Sequence, residues 1–261
     1  MAKEKLHIEP KIKEKEQDQT PIIEIKDLHK TFGKDNKILK GVNLILHKDE
    51  NLVVLGRSGS GKSVTIKCIV GLIEPDKGEI KVFDENVLNI SKSELNAIRV
   101  RIGFLFQSGA LYDSMSVREN LAFTLSKHKR DLSADEVENE VMEALENVGL
   151  ADAIDKMPSE LSGGMRKRIG LARTLILKPE IILYDEPTTG LDTITSREIS
   201  ELILDIKEKQ KTSSIIITHD MACAKLTADR IIVLKDGVIH AEGTYEELEK
   251  DEDEWVRSFF E

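Results

Sequence analysis

Cysteine is scarce in this sequence of 261 residues, and its two copies, Cys68 and Cys223, stand far apart. Two isolated cysteines form neither a disulfide framework nor the paired ligand spacing of a zinc site. We interpret both as buried thiols that pack like small hydrophobic side chains, as expected in a reducing compartment.

Long apolar stretches are also missing. No segment approaches the ~20 consecutive apolar residues of a membrane-spanning helix, and the first residues lack the apolar core of a signal peptide. We therefore expect a cytoplasmic protein that reaches the membrane only through a partner.

An excess of basic residues, which would attract nucleic acid or anionic lipid, is absent. Acidic residues number 48 against 38 basic ones, and the formal net charge is −10. We therefore expect no nucleic-acid partner. A local pocket lined by amides could still hold a polyphosphate, because only the nearby field acts there. The hydrophobic content of 40% is sufficient for a folded core.

Residues 1–20 differ from the rest of the chain. They contain five Lys, four Glu and one Asp, so they are formally neutral, rich in charge and poor in apolar residues. This composition predicts a disordered charged leader, with a solvated helix as the alternative. The folded part is then expected at residues 22–261.

Two kinds of strand pattern follow the leader. Residues 23–25 and 42–46 alternate between apolar and polar, which is typical of strands with one buried face. Residues 52–55, 181–184 and 215–217 are continuous apolar runs, which is typical of parallel strands covered on both faces.

Helices are indicated by Ser or Thr followed three residues later by Glu, the capping-box pattern, at Ser91, Ser133 and Thr244. Residues 90–177 are predicted to be mainly helical and to be inserted between strands of the sheet. Further along, residues 231–240 predict an antiparallel hairpin. The expected fold is therefore α/β.

A phosphate-binding loop is predicted at residues 56–63, which match G-x-x-x-x-G-K-[ST] between an apolar strand and a helix-compatible segment. The glycines let backbone amides form an anion-binding nest at a helix N-terminus. Lys62 can reach the β- and γ-phosphates, and Ser63 can ligate Mg²⁺. A merely flexible glycine turn would explain neither this pair nor the strand, so we predict that the loop binds ATP. The predicted nucleotide contacts are Gly56, Ser58, Gly59, Ser60, Gly61, Lys62 and Ser63.

Asp185 and Glu186 end the apolar run at 181–184, where parallel sheets place their ligands. We predict that Asp185 holds Mg²⁺ and that Glu186 orients or deprotonates the attacking water, so that the chain hydrolyses ATP. An apolar run ending in two acids is weak evidence alone, but the phosphate loop upstream strengthens it.

A second phosphate-binding helix start is predicted at Ser162, Gly163 and Gly164, although one site needs only one such cradle. The economical explanation is that it closes over the nucleotide of a neighbouring subunit. From Ile22 onwards, the order of these motifs resembles the ATPase subunits of ATP-binding cassette (ABC) transporters.

That resemblance implies a P-loop NTPase of ABC type. It has a mixed-sheet, RecA-like core, an antiparallel β subdomain and an inserted α-helical subdomain at roughly 90–177. The implied cofactors are ATP and Mg²⁺, and the implied partners are a second, identical ATPase subunit and integral membrane permease subunits. The chain would lie peripherally on the inner face of the cell membrane.

The resemblance also implies roles for single residues. Phe32 matches the aromatic residue that stacks on adenine, and Asp192 lies in a segment that resembles the D-loop. Gln107 matches the glutamine that contacts Mg²⁺ and senses the transporter, and His219 matches the switch histidine. Val64 departs from the Thr found in many members, although its amide can still donate to phosphate.

Finer resemblance lies in the flanks of the motifs, at 106–113 and 157–168. These look like the ATPase subunit of Mce/Mla-type systems, which move phospholipids across bacterial envelopes. The resemblance implies an Mce-type lipid-binding protein in the same complex. The C-terminal aromatics Trp255, Phe259 and Phe260 could dock on their own domain, which we favour, or on the partner ATPase.

Three other readings keep the ATPase. The first is a signalling or assembly complex, the second is an importer of another substrate, and the third is a DNA- or ribosome-associated cassette. The acidic net charge and the presence of a single cassette argue against the third.

Overall fold

The computed structural model describes residues 20–261, so the predicted leader lies outside the described residues except for Thr20. The strands are β1 (Pro21–Phe32), β2 (Asn36–His47), β3 (Asn51–Leu55), β4 (Lys77–Val82), β5 (Glu85–Asn86), β6 (Ile102–Leu105), β7 (Ile181–Asp185), β8 (Ser213–Ile217), β9 (Arg230–Lys235) and β10 (Val238–Gly243). The helices are α1 (Lys62–Ile69), α2 (Lys92–Val100), α3 (Val117–His128), α4 (Ala134–Glu146), α5 (Gly163–Leu175), α6 (Thr193–Gln210), α7 (Met221–Thr227), α8 (Tyr245–Leu248) and α9 (Glu254–Arg257).

The central sheet has six strands in the order β10-β9-β3-β8-β7-β6. Strands β9, β3, β8, β7 and β6 run parallel to their neighbours, and β10 pairs with β9 as an antiparallel hairpin. A second sheet of four antiparallel strands has the order β2-β1-β4-β5. The predicted α/β class, with a mixed core sheet and a separate antiparallel sheet, is confirmed.

The continuous apolar runs are explained by the two cores that cover the central sheet. In β3, Leu52 and Val54 pack in one core with the four-stranded sheet, while Val53 and Leu55 pack in the other with the helices. Successive strand residues point to opposite faces, so both faces must be apolar. In β1 only alternate residues such as Ile23 and Ile25 are buried, as predicted for a sheet with one solvated face.

The helical prediction for residues 90–177 needs one correction, because the strand β6 lies inside that range and pairs with β7. Its apolar run is only four residues long and follows α2 after a single residue. Such a run cannot be distinguished from the end of a helix by periodicity, and the pairing with β7 decides its conformation. The three predicted capping boxes are present, and a fourth at Ser116 was missed. The limits of a separate helical subdomain stay a prediction.

Both cysteines are buried, as the sequence indicated. Burial raises the pKa of the Cys68 thiol to about 11, and that of Cys223 likewise. Each thiol is therefore protonated and unreactive near neutral pH.

An ion pair joins Glu50, which directly precedes β3, to Arg230 at the start of the neighbouring strand β9, close to the end of β2. Glu50, which is 2% exposed, accepts hydrogen bonds from Arg230 Nε at 2.7 Å and from the His47 N–H at 2.8 Å. Burial alone would raise the pKa of Glu50, but Arg230 and the His47 N–H outweigh it, and the pKa is lowered. Glu50 therefore contributes stability above its unfolded-state pKa, and this contribution is lost as pH falls through the lower folded-state pKa.

Replacing Arg230 with Met should lower the free energy of unfolding by about 3 kcal/mol at pH 7, because Glu50 is left buried without its partner. In this variant burial raises the pKa of Glu50, so protonation relieves the penalty and the deficit should shrink as pH falls from 7 to 5. Urea unfolding at both pH values measures this change. A deficit that is equal at the two values would contradict it. Arg197→Met, which breaks the exposed pair with Glu201, should change stability little.

Candidate functional site

Four of the predicted motifs meet at one edge of the central sheet. The strands β3, β8, β7 and β6 are consecutive neighbours and parallel, so their carboxyl ends lie side by side. The phosphate loop follows β3, His219 follows β8, Glu186 follows β7 and Gln107 follows β6. This edge is where open parallel sheets bind their ligands.

A cavity of about 650 Å³ lies over this edge. Residues from all four loops and from the end of β1 line it, and most of them are residues that the sequence predicted. The predicted residues in its wall are Phe32, Gly56, Ser58, Gly59, Ser60, Gly61, Lys62, Ser63, Val64, Gln107, Glu186 and His219. Ile38, Arg57 and Phe259 also line it. No sequence motif indicated Ile38 or Phe259, because strand pairing and the fold of the C-terminus bring them here.

The phosphate loop has the backbone shape of an anion cradle. Gly56 and Gly61 have φ angles of 154° and 110°, which side-chain-bearing residues rarely adopt. A Cβ at Gly56 would lie 2.4 Å from the Leu234 carbonyl oxygen, and one at Gly61 would lie 2.6 Å from Leu39 Cδ2. Helix α1 begins directly after Gly61, which carries no side-chain acceptor, so its first N–H groups are available to an anion.

Lys62 is held above this loop as a buried cation. Its Nζ donates to the Gly56 carbonyl oxygen at 2.7 Å and to the Arg57 carbonyl oxygen at 3.3 Å, and the residue is 8% exposed. Burial lowers the pKa of Lys62, while the charges of Glu186 and Asp185 oppose that shift. The carbonyl oxygens are neutral acceptors, so a bound polyphosphate would give the Lys62 ammonium group an anionic partner.

The oxygen atoms suited to Mg²⁺ are adjacent. Ser63 Oγ donates to Asp185 Oδ1 at 2.8 Å, and Asp185 is buried at the end of β7. Gln107 and Asp185 together line a second cavity of about 430 Å³. Hydroxyl, carboxylate and amide oxygens are the hard ligands that Mg²⁺ prefers, so Ser63, Gln107 and Asp185 fit the ion. When bound, it would neutralise charge on the phosphates. Within residues 20–261, no group of three or more His, Cys, Asp or Glu side chains suits a metal.

Glu186 and His219, the predicted catalytic residues, are in contact in the wall of the cavity. Glu186 Oε2 lies 2.8 Å from His219 Nδ1 and accepts from Thr189 Oγ1 at 3.0 Å. The backbone of Glu186 is strained, with φ of 54°, and its N–H donates to the Ile217 carbonyl oxygen. The carboxylate thus has a fixed orientation at the cavity wall, from which it can accept a proton from water.

The remaining predicted residues do not line this cavity. Ser162 caps α5, where its Oγ accepts from the Met165 N–H at 3.2 Å. Asp192 caps α6 and accepts from the N–H groups of Ile194 and Thr195, each at 3.0 Å. Gly163 and Gly164 open α5 at the surface, beside the start of α6. Roles for these four residues at a neighbouring chain's nucleotide stay predictions.

The C-terminal aromatics dock on their own domain, as the sequence analysis favoured. Val256 is buried, and Trp255, Phe259 and Phe260 pack against the helical core. The Trp255 ring lies 4.1 Å from Lys235 Nζ and 5.9 Å from the Arg57 guanidinium carbon. The C-terminus therefore lies beside the phosphate loop.

The fold and the cavity define a P-loop ATPase. A comparison with family models supports a closer assignment, because the model described as ABC transporter matches residues 39–189. The chain belongs to the ABC transporter family, and its fold is that of the ATP-binding cassette. None of the helices within residues 20–261 is long and apolar enough to cross a membrane.

Curated relatives are similar over most of the chain. The Probable ribonucleotide transport ATP-binding protein mkl of Mycobacterium leprae is 42% identical over 212 residues, which cover 81% of this chain and 60% of that protein. Protein TRIGALACTOSYLDIACYLGLYCEROL 3, chloroplastic, of Arabidopsis thaliana is 38% identical and covers 94% of this chain and 74% of that protein. The Methionine import ATP-binding protein MetN of Brucella abortus is 38% identical and covers 85% and 60%. The chain thus spans about 60% of the length of the mycobacterial relative.

Solved structures agree with this assignment. The ATP-binding cassette MJ0796, in a dimeric post-hydrolysis state bound to ADP and Pi, is 32% identical with a TM-score of 0.78, covering 85% of this chain and 98% of that one. CbiO1 from Clostridium perfringens, part of the ABC transporter complex cbiONQ, is 29% identical with a TM-score of 0.79, covering 86% and 89%.

Proposed function

We propose that this chain hydrolyses ATP as one half of a dimer, in which each nucleotide lies between the phosphate loop of one chain and Ser162–Gly164 of the other. The observation that carries this proposal is the separation of the two phosphate-binding helix starts. The phosphate loop, Glu186 and His219 line the cavity, whereas the start of α5 lies at the surface and does not line it. The dimeric state of the similar cassette MJ0796 supports the same arrangement.

Gly163→Asp should abolish most ATP turnover while leaving ATP affinity nearly unchanged. A Cβ at Gly163 meets only Leu191 Cδ2, at 3.5 Å, so the substitution fits. A carboxylate in the first turn also suits the helix dipole, but it would repel the phosphates of a neighbouring chain's nucleotide. Gly163→Ala is the control, because it also adds a Cβ at this position but carries no charge. It should retain most of the ATP turnover.

The measurements are steady-state phosphate release and equilibrium binding of ATP to each variant. Loss of ATP affinity in Gly163→Asp would place this residue at the chain's own nucleotide. Turnover equal to that of the wild type would remove the second chain from the site.

We further propose that the ATPase powers transport of phospholipids or related lipids across a bacterial envelope. The motif flanks at 106–113 and 157–168 support this substrate class through their resemblance to Mce/Mla-type ATPases. The name of the Arabidopsis relative contains the name of a glycolipid, which also supports a lipid substrate. The names of other relatives point to ribonucleotides and methionine, which makes an importer of another substrate the second candidate.

The proposed partners are an integral membrane permease and an Mce-type lipid-binding protein. The cavity of about 430 Å³ beside Gln107 supports the permease as a partner. Residues that follow β6, together with Asp185 and Thr189, line this cavity, which opens to the surface. A short helix of the permease inserted there would contact Gln107 and Asp185, which would hold Mg²⁺. The chain would then lie on the inner face of the membrane through this contact.

Purification of the intact membrane complex through a tag on this chain tests the lipid proposal. Mass spectrometry should find a multi-span permease and bound phospholipid in the same preparation. A permease with bound amino acid or nucleotide would support the importer instead. A complex without a permease would indicate an ATPase of a signalling or assembly complex.

A further inference from the structure

Lys167 is a buried lysine whose ammonium group has no carboxylate partner within hydrogen-bonding distance among the described residues. It lies on α5 and is 6% exposed. Its Nζ donates to the carbonyl oxygen of Gln107 and, at 3.1 Å, to that of Glu186. A single side chain therefore binds the backbone at both Gln107 and Glu186. Hydrogen bonds from a charged donor are stronger than those from a neutral one.

The two carbonyl groups belong to the two loops that carry the predicted catalytic side chains. Gln107 follows β6, and Glu186 follows β7. Burial lowers the pKa of Lys167, while the nearby charges of Glu186 and Asp185 oppose that shift. The same acidic groups thus stabilise the cation that holds the backbone of Glu186.

The loop at Gln107 is fastened to α5 at further points. Arg173 Nη1 donates to the Ala110 carbonyl oxygen at 2.5 Å. The backbone of Gly109 lies so close to α5 that a Cβ at Gly170 would be 2.9 Å from the Gly109 carbonyl oxygen. Gly109 and Ala110 both have positive φ angles, of 73° and 49°. Helix α5 therefore fixes the backbone conformation of the loop at Gln107, and Lys167 also connects α5 to the backbone of Glu186.

The unusual backbone conformation of Glu186 is held from both sides. A side-chain-bearing residue with φ of 54° relaxes unless its surroundings fix it. Its N–H is bound to the Ile217 carbonyl oxygen on one side, and its carbonyl oxygen is bound by Lys167 on the other.

We infer that Lys167 is a positioning residue for ATP hydrolysis, which ties the Gln107 loop to the strained peptide of Glu186 and so aligns the Glu186 carboxylate at the cavity. This inference rests on the proposed ATPase function and adds a residue to it. Lys167 lies one turn beyond Gly164, so the helix start that is proposed to bind the neighbouring nucleotide is rigidly connected to this contact.

Lys167→Met tests the inference, because Met keeps the length of the side chain and removes the donors. Its kcat should fall at least about tenfold, the equivalent of one lost charged hydrogen bond. Its KM for ATP should stay close to that of the wild type and its ATP-dependent dimerisation should be no weaker, since the phosphate loop and the start of α5 are unchanged. Lys167→Arg, which keeps charge and donors, should recover most of the kcat.

Lys207→Met is the matched control. Lys207 is also largely buried, with a side chain 19% exposed, but it pairs with Asp229 away from the cavity. This variant should lose stability without a selective loss of kcat. An equal loss of kcat in both variants, a wild-type kcat in Lys167→Met, or no recovery in Lys167→Arg would each overturn the inference.

Hydrogen exchange separates this inference from the proposed function. In Lys167→Met, peptides that contain 105–110 and 185–190 should exchange faster than in the wild type and in Lys207→Met. This readout needs no turnover. If the wild-type protein does not hydrolyse ATP, the proposed function fails, whereas unchanged exchange at both peptides would overturn the role of Lys167 alone.

Discussion

Glu186→Gln should lower the steady-state rate of ATP hydrolysis at least about a hundredfold, the usual scale for loss of a general base. Glutamine has nearly the same shape as glutamate and can still accept from Thr189 Oγ1, which lies 3.0 Å from the carboxylate. It cannot accept a proton from water at neutral pH. ATP affinity should stay nearly unchanged, because the phosphate loop and Lys62 are not altered. The Glu186→Gln variant should therefore bind ATP and retain it unhydrolysed.

Phosphate release under saturating ATP and equilibrium nucleotide binding provide the two measurements. Size-exclusion chromatography with ATP should show more dimer for Glu186→Gln than for the wild type, since hydrolysis no longer separates the two chains. Glu201→Gln, at an exposed carboxylate paired with Arg197, is the control and should keep wild-type turnover. Full turnover by Glu186→Gln would remove this residue from its role.

Lys62→Met should weaken ATP binding at least about tenfold, because the loss of one charged hydrogen bond in a buried site costs about 1.5–3 kcal/mol. Lys62 is 8% exposed and held by two loop carbonyl oxygens. Its side chain therefore loses little conformational entropy when ATP binds. Turnover should fall with it, because the same ammonium would stabilise charge on the γ-phosphate.

A comparison with Ser63→Ala separates the phosphate contact from the metal contact. Ser63 Oγ lies 2.8 Å from Asp185 Oδ1, and these two oxygens would hold Mg²⁺. Ser63→Ala should weaken ATP binding in the presence of Mg²⁺ and leave binding in EDTA unaffected, whereas Lys62→Met should weaken both. If EDTA removed the difference between Lys62→Met and the wild type, Lys62 would act only through the metal.

The sequence predicted most of the fold because its motifs have local physical causes. The glycines of the phosphate loop, the apolar runs of the parallel strands and the capping boxes each determine the conformation of neighbouring residues. The sequence placed Asp185 and Glu186 at the carboxyl end of a buried strand, and the family resemblance implied His219. The structure brings Glu186 and His219 together in one cavity at that edge of the sheet.

The features that the sequence did not predict depend on contacts between distant segments. Strand β6 is too short for its periodicity to be read, and its pairing with β7 fixes it. Phe259 reaches the cavity only because Val256 is buried in the helical core three residues earlier. Lys167 lies between Arg166 and Arg168, in a basic run whose side chains could equally have been solvated. Its burial against two carbonyl oxygens is a property of the folded chain.

The contact between the C-terminus and the phosphate loop has a practical consequence. Trp255 is the single tryptophan of the chain, and its ring lies 5.9 Å from the Arg57 guanidinium carbon. Charges close to an indole ring interact with its π system, so a displacement of Arg57 changes the electrostatic environment of the ring. The protein therefore carries an intrinsic fluorophore beside its phosphate loop, and we expect nucleotide binding to change the tryptophan emission of the unlabelled protein.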